Sequence, residues 1–158
     1  MAHDYTATIR WQRGAQPFTD RKYSRAHDWV FDGLTVPGSS APSVVKVPMS
    51  REDAVDPEEA LVAALSSCHM LFFLEFAARD GFRIDDYRDE AVGTMGKNAA
   101  GKVLMTKVAL SPHIVFSGDT RPTAADIARL HHRAHEECYI ANSVRSEIVI
   151  AEIPPVFA

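Results

Sequence analysis

Three patterns in the sequence predict a fold that mixes β-strands with two long helices. Residues near the N-terminus alternate between polar and apolar side chains, as in a half-buried strand. Two later segments are typical of helices: the first opens with a helix-start signal and is apolar on nearly every side, and the second has apolar residues at helical spacing. Between them, two elongated β segments flank a short turn sequence. The predicted single domain, residues 1–158, comprises an N-terminal β region 4–48, a first cysteine-bearing helix 57–80, a β-hairpin 87–116, a second cysteine-bearing helix 123–138 and a last strand 144–153.

Turn residues divide the N-terminal β region into short strands. The alternating residues 4–11 predict the first strand, and Gly14–Pro17 predict a turn after it. Residues 18–31 predict a second strand, with room for a third. The residues 36–42 are rich in Pro, Gly and Ser and predict a loop, and Val44–Val47 predict another short strand.

The remaining β segments lie in the C-terminal half of the chain. Residues 87–97 and 103–116 lie on either side of Asn98-Ala-Ala-Gly101, which is typical of a hairpin connection. Residues 144–153 predict a last strand, which we expect to end the domain before Pro154-Pro155.

The first helix is predicted from a capping box. Asp56 is a good N-cap, Pro57 occupies the first helical position, and Glu59 stands three residues after the cap. The following residues are apolar on nearly every side until Gly81 supplies a stop. A helix of this kind needs cover all round, and it is roughly 35 Å long at about 1.5 Å per residue. We therefore expect a partner chain to cover part of it.

The second helix is predicted from the spacing of its apolar residues. It begins near Thr123, and Ile127, Leu130 and Ala134 recur at intervals of three and four residues. Cys138 continues this spacing, so we expect it at the end of the apolar stripe.

The composition and net charge of the chain disfavour several classes of protein. The net charge of −4 disfavours a nucleic-acid surface, which is usually basic. We see no apolar run near the roughly 18 residues that span a bilayer, and no charged-then-apolar signal pattern at the N-terminus. We therefore expect a cytoplasmic protein that binds neither nucleic acid nor membrane. In that reducing compartment, two cysteines are more often buried thiols, metal ligands or redox groups than a structural disulfide.

Cys68 and Cys138 each lie on an apolar helix face, which leaves two interpretations open. Each can be a small hydrophobic residue of the core, or the two can form a redox pair. A cysteine attacks peroxide as the thiolate, so its pKa must be lowered. The start of the first helix is too far from Cys68 to do this, and His69 does not face its sequence neighbour. A buried cation is needed, and arginine suits best because it stays charged. The N-terminal segment supplies the candidates Arg10, Arg13, Arg21, Lys22 and Arg25.

A buried arginine needs a carboxylate to hold it, and Glu58 and Glu59 are candidates. Glu58 precedes Cys68 by ten positions, which is about 15 Å along a helix. If Glu58 serves the site around Cys68, it most simply belongs to a partner subunit. The alternative is an acidic residue favoured at the helix start by the dipole.

Two other classes of function remain open from the residues. His131, His135 and Cys138 can align on one helix face, and Cys68 and His69 could add metal ligands. The spacing matches no strong zinc signature, so we expect no metal and no other cofactor. The other class is a non-enzymatic, stress-related binding protein that keeps the fold.

Two motifs in this sequence resemble those of a known family. The segment Asp56-Pro-Glu-Glu followed by small residues and Cys68 resembles the helix motif of the OsmC/organic hydroperoxide resistance (Ohr) family. The segment Ala134-His-Glu-Glu-Cys138-Tyr-Ile-Ala-Asn-Ser143 resembles the second-cysteine segment of the same family. The order of the predicted elements agrees over nearly the whole chain. The sequence is therefore identified as a member of an OsmC-like subgroup.

The resemblance implies an α+β, OsmC-like fold in which antiparallel sheets wrap around two long central helices in an intertwined homodimer. It also implies a dithiol-dependent peroxidase that reduces organic hydroperoxides. By position, Cys68 resembles the peroxidatic cysteine, Cys138 the resolving cysteine, and Glu58 the glutamate that holds a catalytic arginine. Arg25 is our choice for that arginine, with Arg21 and Arg13 as alternatives.

Two details of the resemblance concern the substrate and the subgroup. Leu71, Phe72 and Phe76 are candidates for an apolar pocket for alkyl peroxides, although such an aromatic run more often belongs to a core. The commonest second motif of the family is Cys-Pro-Val-Ser, whereas this chain has Cys138-Tyr-Ile-Ala-Asn-Ser. His69 directly after Cys68 is a second departure. These two departures resemble a distinct OsmC-like subgroup, for which the preferred peroxide and reductant stay open.

Overall fold

The computed structural model describes residues 3–158 of the chain. They form two compact units, one within residues 1–60 and one comprising residues 61–158. The helices are α1 (Pro57–Arg79) and α2 (Ala124–Glu137), and Ala141–Ser143 form a short 3-10 turn. The strands are β1 (Thr8–Arg10), β2 (His27–Phe31), β3 (Leu34–Gly38), β4 (Arg83–Asp89), β5 (Val92–Lys97), β6 (Val103–Leu110), β7 (Pro112–Ser117), β8 (Glu147–Ile150) and β9 (Val156–Phe157). This mixture confirms the predicted α+β class.

The N-terminal unit contains one antiparallel sheet with the strand order β1-β2-β3. Strand β1 begins at Thr8 and not at Asp4, and residues 18–26 form no strand. One reason is that Arg21 adopts a left-handed φ of 64°, which no regular strand accommodates. The predicted N-terminal strands were therefore too long.

Two further predictions in this unit were wrong. Val36–Gly38, predicted as loop, belong to β3, where Pro37 is tolerated because β3 is an edge strand. Val44–Val47, predicted as a strand, form turns instead. The N–H groups of Val44 and Val45 donate to the carbonyl of Ala41 at 2.9 and 3.0 Å, which curls the backbone.

The C-terminal unit contains two three-stranded sheets, ordered β4-β7-β9 and β5-β6-β8. The predicted turn at residues 98–101 joins β5 to β6, and Asn98 closes it by accepting the N–H groups of Ala100 and Lys102. The two long strands predicted on either side were wrong, because residues 87–97 are divided between β4 and β5 and residues 103–116 between β6 and β7. The flanking strands β4 and β7 pair with each other in the other sheet. The sheets are mixed and not purely antiparallel, because β8 and β9 join β6 and β7 in parallel. Strand β9 follows Pro155, so the chain continues past the predicted last strand.

Helix α1 contributes to both hydrophobic cores of the C-terminal unit. The first, which we call the phenylalanine core, joins α1, β7 and α2 through Phe73, Phe76, Ala77, Ile114, Phe116, Ile127, Leu130 and Ala134. The second, which we call the leucine core, joins α1 and β6 through Leu65, Met105, Val108 and Leu110. Cys68 and His69 lie on α1 between the residues of the two cores.

One face of α1 is not covered by the chain itself. Ala64, Ser67, Leu71 and Ala78 are exposed along this face, and Leu71 is 59% exposed. By length and composition alone α1 could cross a membrane, which corrects our expectation that no segment approaches that length. Core helices of other proteins pass the same test, and Leu65 and Phe73 bury α1 in the two cores.

Candidate functional site

The structure brings the two cysteines together at the junction of α1 and α2. Cys68 lies half-buried in α1, and Cys138, the C-cap residue of α2, is fully buried. Both thiols are free, and they lie close enough for Cys68 to help raise the pKa of Cys138. Two residues 70 positions apart in the sequence thus become neighbours that could form a disulfide.

The surroundings of Cys138 keep its thiol protonated. Burial raises the pKa of Cys138 to about 11, and the neighbouring Cys68 adds to this increase. The N–H group of Ala141 lies 3.4 Å from the sulfur and opposes the shift by donating to it. At neutral pH Cys138 is therefore a thiol and not the thiolate that attacks a peroxide.

A buried pair of histidines joins the same two helices next to the thiols. His69 of α1 is 1% exposed, and its Nε2 atom lies 3.0 Å from Nδ1 of His131 in α2. The rings are stacked with their centroids 5.3 Å apart, and Phe73 packs against His131 with a centroid distance of 4.4 Å. Burial is the main cause that lowers the pKa of each histidine from 6.5 to about 4. Both rings are therefore neutral at pH 7.

Two charged groups act on His69, and one of them also acts on Tyr87. A charge on His135 would lower the pKa of His69, whereas Asp89 raises it. Burial raises the pKa of Tyr87, with a smaller contribution from Asp89. Asp89 also ties α1 to the end of β4, because it accepts the hydroxyl of Ser66 and the N–H group of Ser111.

Nothing in residues 3–158 supports the alternative of a metal centre. His131 uses Nδ1 to contact His69, and no group of three or more His, Cys, Asp or Glu side chains in this range is arranged to hold a metal ion. The shared helix face of His131, His135 and Cys138 therefore does not make a ligand set here.

The three predicted pocket residues have different environments. Leu71 is 59% exposed, whereas Phe76 is buried in the phenylalanine core beneath the guanidinium group of Arg133. Phe72 is half-buried and packs edge-on against Tyr139 at 5.1 Å. Phe76 is thus a core residue, which corrects its assignment to a pocket, while Leu71 and Phe72 lie one helical turn from Cys68.

A separate cleft of about 700 Å³ opens between α2 and the residues that follow β8. Ala124, Ala128, His131 and Pro154 are among its lining residues, and neither cysteine lines it. The cleft is therefore not the place where a peroxide would meet Cys68.

The predicted arginine and glutamate belong to the N-terminal unit, whereas both cysteines belong to the C-terminal unit. The guanidinium group of Arg25 is partly buried, donates to the carbonyls of Tyr23 and Arg21, and lies 3.8 Å from the Tyr23 ring centroid. Glu58 is half-buried in the first turn of α1.

The other two candidate arginines are more exposed than Arg25. Arg13 closes a turn by donating to the carbonyl of Gln16 at 2.6 Å, and Arg21 lies in the left-handed turn. Of the three, Arg25 alone is partly buried and held in place by a ring and two carbonyl groups.

Sequence reasoning missed two parts of this arrangement. The bond between His69 and His131 joins residues 62 positions apart, and no local pattern pointed to it. The contact between Asp89 and Ser66 is equally non-local. The isolated polar positions in an otherwise apolar α1 were the one available signal, because a buried polar side chain usually has a partner.

The chain is similar to proteins of one family over nearly its whole length. The family described as OsmC-like protein matches residues 50–152. An OsmC-like protein of unknown function from Vibrio cholerae is 51% identical, with a TM-score of 0.93 over 95% of this chain and 99% of that chain. An OsmC-like protein from Mycoplasma pneumoniae is 14% identical, with a TM-score of 0.74 over 99% of both chains.

A more distant similarity extends to a protein named for peroxide resistance. The organic hydroperoxide resistance protein OhrB of Bacillus subtilis is 16% identical, with a TM-score of 0.59 over 98% of both chains. At such identities the similarity shows the fold alone. No curated protein matches the sequence. The family match and the similarity to the Vibrio cholerae protein confirm the resemblance seen in the two cysteine motifs, and the chain belongs to the OsmC-like protein family.

Proposed function

We propose that this protein is a thiol-dependent peroxidase that reduces organic hydroperoxides to alcohols. The observation that carries the proposal is the meeting of two free thiols, one partly accessible and one fully buried, at the junction of α1 and α2. The family match and the peroxide-resistance proteins among the structural neighbours support it.

The proposed reaction has three steps. The thiolate of Cys68 attacks the outer oxygen of the hydroperoxide, the O–O bond breaks, and the alkoxide takes a proton and leaves as the alcohol. Cys68 is then a sulfenic acid, and Cys138 gives up its proton as its sulfur attacks the Cys68 sulfur; the S–O bond breaks, a disulfide forms, and the hydroxyl leaves with that proton as water. An external dithiol reduces the disulfide by exchange and is itself oxidised to a disulfide.

The two cysteines have the roles that their surroundings favour. Cys138 is held as a thiol by burial, so it is disfavoured as the cysteine that attacks the peroxide, and we assign it the resolving role. Cys68 is the more accessible of the two and would meet the peroxide first. We assign Arg25 as the cation that stabilises the Cys68 thiolate, and Glu58 as the carboxylate that holds this arginine.

The apolar surface beside Cys68 favours alkyl hydroperoxides over hydrogen peroxide. Leu71 and Phe72 follow Cys68 by three and four positions, so they share its helix face. Tyr139 extends this surface through its contact with Phe72. An alkyl group on the peroxide would bury part of this surface, at about 25 cal/mol per Å².

We further propose that the protein acts in the cytoplasm as a homodimer, with the exposed face of α1 covered by a second copy. Leu71→Glu is expected to shift the dimer towards monomer, because each subunit would then bury a carboxylate. The loss of affinity should be on the order of 100-fold or more. Sedimentation velocity would measure it, with Lys102→Glu in the exposed β5–β6 turn as the control. A wild-type chain that sediments as a monomer would contradict the proposal.

Intact mass spectrometry tests the redox chemistry directly. One equivalent of cumene hydroperoxide is expected to lower the mass of the reduced protein by about 2 units, through a Cys68–Cys138 disulfide. In Cys138→Ser the expected change is a gain of about 16 units, on the peptide that contains Cys68. An unchanged mass in both proteins would favour the non-enzymatic binding role of the same fold.

A further inference from the structure

The backbone of Arg25 is held on both sides by hydrogen bonds. Its N–H group donates to the carbonyl of Met49 at 2.7 Å. Its own carbonyl lies 2.7 Å from Nδ1 of His27, which is the first residue of β2. The placement of Arg25 is therefore defined by its backbone as well as by its side chain.

The hydrogen bonds of His27 fix its tautomer. The indole N–H of Trp29 donates to Nε2 of His27 at 2.7 Å. Indole is a donor only and a carbonyl is an acceptor only, so Nε2 must be bare and Nδ1 must carry the proton. His27 is therefore the Nδ1–H tautomer, which donates to the carbonyl of Arg25.

The neighbouring strand keeps the His27 and Trp29 side chains in place. Gly38 of β3 pairs with His27, and a Cβ atom at Gly38 would lie 2.5 Å from the indole nitrogen of Trp29 and 2.6 Å from Nε2 of His27. The absence of a side chain at Gly38 thus leaves the space that the two rings occupy. Two hydrogen bonds link Trp29 to His27 and His27 to Arg25. Both start from residues of β2, whose backbone is held in the sheet.

We propose that His27 is a positioning residue for Arg25. Trp29 holds His27 in the Nδ1–H tautomer, which is the one that donates to the carbonyl of Arg25. This inference rests on the proposed function, in which Arg25 stabilises the Cys68 thiolate. In this proposal His27 does not itself contact the peroxide. His27 acts on the position of Arg25 only through its hydrogen bond to the Arg25 carbonyl.

Substitution of His27 by asparagine or by glutamine distinguishes the role of Nδ1 from that of Nε2. The side-chain amide of asparagine can reach the position of Nδ1 and donate to Arg25, whereas that of glutamine reaches towards the position of Nε2. His27→Gln is expected to lower kcat/KM for cumene hydroperoxide by on the order of 10-fold or more, because small misplacements of a catalytic group are costly. His27→Asn should stay within about 3-fold of wild type. Thermal unfolding of both variants controls for a general loss of stability.

A second measurement does not depend on turnover. The rate of alkylation of Cys68 by iodoacetamide in the Cys138→Ser background reports the thiolate that Arg25 stabilises. His27→Gln should slow alkylation to nearly the same extent as Arg25→Gln, and His27→Asn should not. Nitrogen NMR of the His27 ring should show the proton on Nδ1.

The outcomes distinguish this inference from the proposed function. Slow alkylation in Arg25→Gln together with a wild-type rate in His27→Gln would overturn the positioning role and leave the peroxidase proposal intact. An unchanged rate in Arg25→Gln would overturn the assignment of Arg25 and the positioning role with it. A proton on Nε2 of His27 would also overturn the inference, whatever the kinetics.

Discussion

Cys68→Ser is expected to lower the turnover of an organic hydroperoxide with a dithiol by about 1,000-fold or more. A hydroxyl is a far poorer nucleophile than a thiolate at neutral pH, and it cannot form the sulfenic acid on which the cycle depends. Fold and stability should change little, since Cys68 is only half-buried. Peroxide consumption, measured with the dithiol in excess, gives the rate.

Two variants make the result specific to Cys68. Cys138→Ser should still consume about one equivalent of peroxide per chain, because Cys68 is oxidised before Cys138 acts. Ser43→Ala changes an exposed serine in a turn of the N-terminal unit and should keep the wild-type rate. If Cys68→Ser retained the full rate of turnover, the chemistry proposed here would be wrong.

Acid is expected to destabilise the protein through the buried histidine pair. In the folded chain the pKa values of His69 and His131 are lowered to about 4, whereas 6.5 is their ordinary value. Between pH 6.5 and pH 4 the unfolded chain therefore binds more protons, so stability rises with pH in this range. The contribution is complete above about pH 6.5 and is lost as the pH falls towards 4.

The expected loss at pH 5 is about 2–4 kcal/mol for the pair, relative to pH 7. The lower end applies if the first proton is shared between the two rings. Urea unfolding at a series of pH values measures it, and the double variant His69→Gln, His131→Gln should flatten this part of the profile. His132→Gln is the matched control, since His132 is an exposed histidine of α2 that pairs with Glu136 at 3.4 Å. An identical acid profile in the double variant would contradict the assignment.

Both helices could be predicted because their signals are local. The capping box of Asp56 and Glu59 forms as expected, with the Glu59 N–H group donating to the Asp56 carboxylate at 2.8 Å. Thr123 and Asp126 make the same arrangement at the start of α2. The predicted bounds of 57–80 and 123–138 accordingly lie within one residue of α1 and α2 at both ends, since each helix is fixed by residues within a few positions of its ends.

The short strands could not be predicted as well, because a strand depends on its partner. Val44–Val47 have the composition of a strand but no neighbour to pair with, so they curl into turns. Pro37 marks a loop in most sequences, yet β2 lies beside it with Asp28 in register. The parallel addition of β9 after Pro155 likewise depends on β7, whose paired residues lie 41 positions earlier in the chain.

At the candidate site, too, features encoded by local sequence could be predicted and contacts between distant residues could not. Cys68 and Cys138 were found from motifs and helix position, and the structure brings them together. Phe76 was proposed for a pocket but lies in the phenylalanine core, because helical spacing alone does not say which neighbour covers a face. The His69–His131 contact depends on how α1 packs against α2, which no short segment encodes.

The distance in sequence between the two thiols has a thermodynamic consequence for the reductant. A Cys68–Cys138 disulfide would close a loop of about 70 residues, which removes roughly 4 kcal/mol of chain entropy from the unfolded state. By the same thermodynamic cycle, the bond in the native protein is harder to reduce than in the unfolded chain by about 90 mV for a two-electron couple. A cysteine pair assembled from distant parts of the chain thus favours a strongly reducing dithiol partner over a weak monothiol.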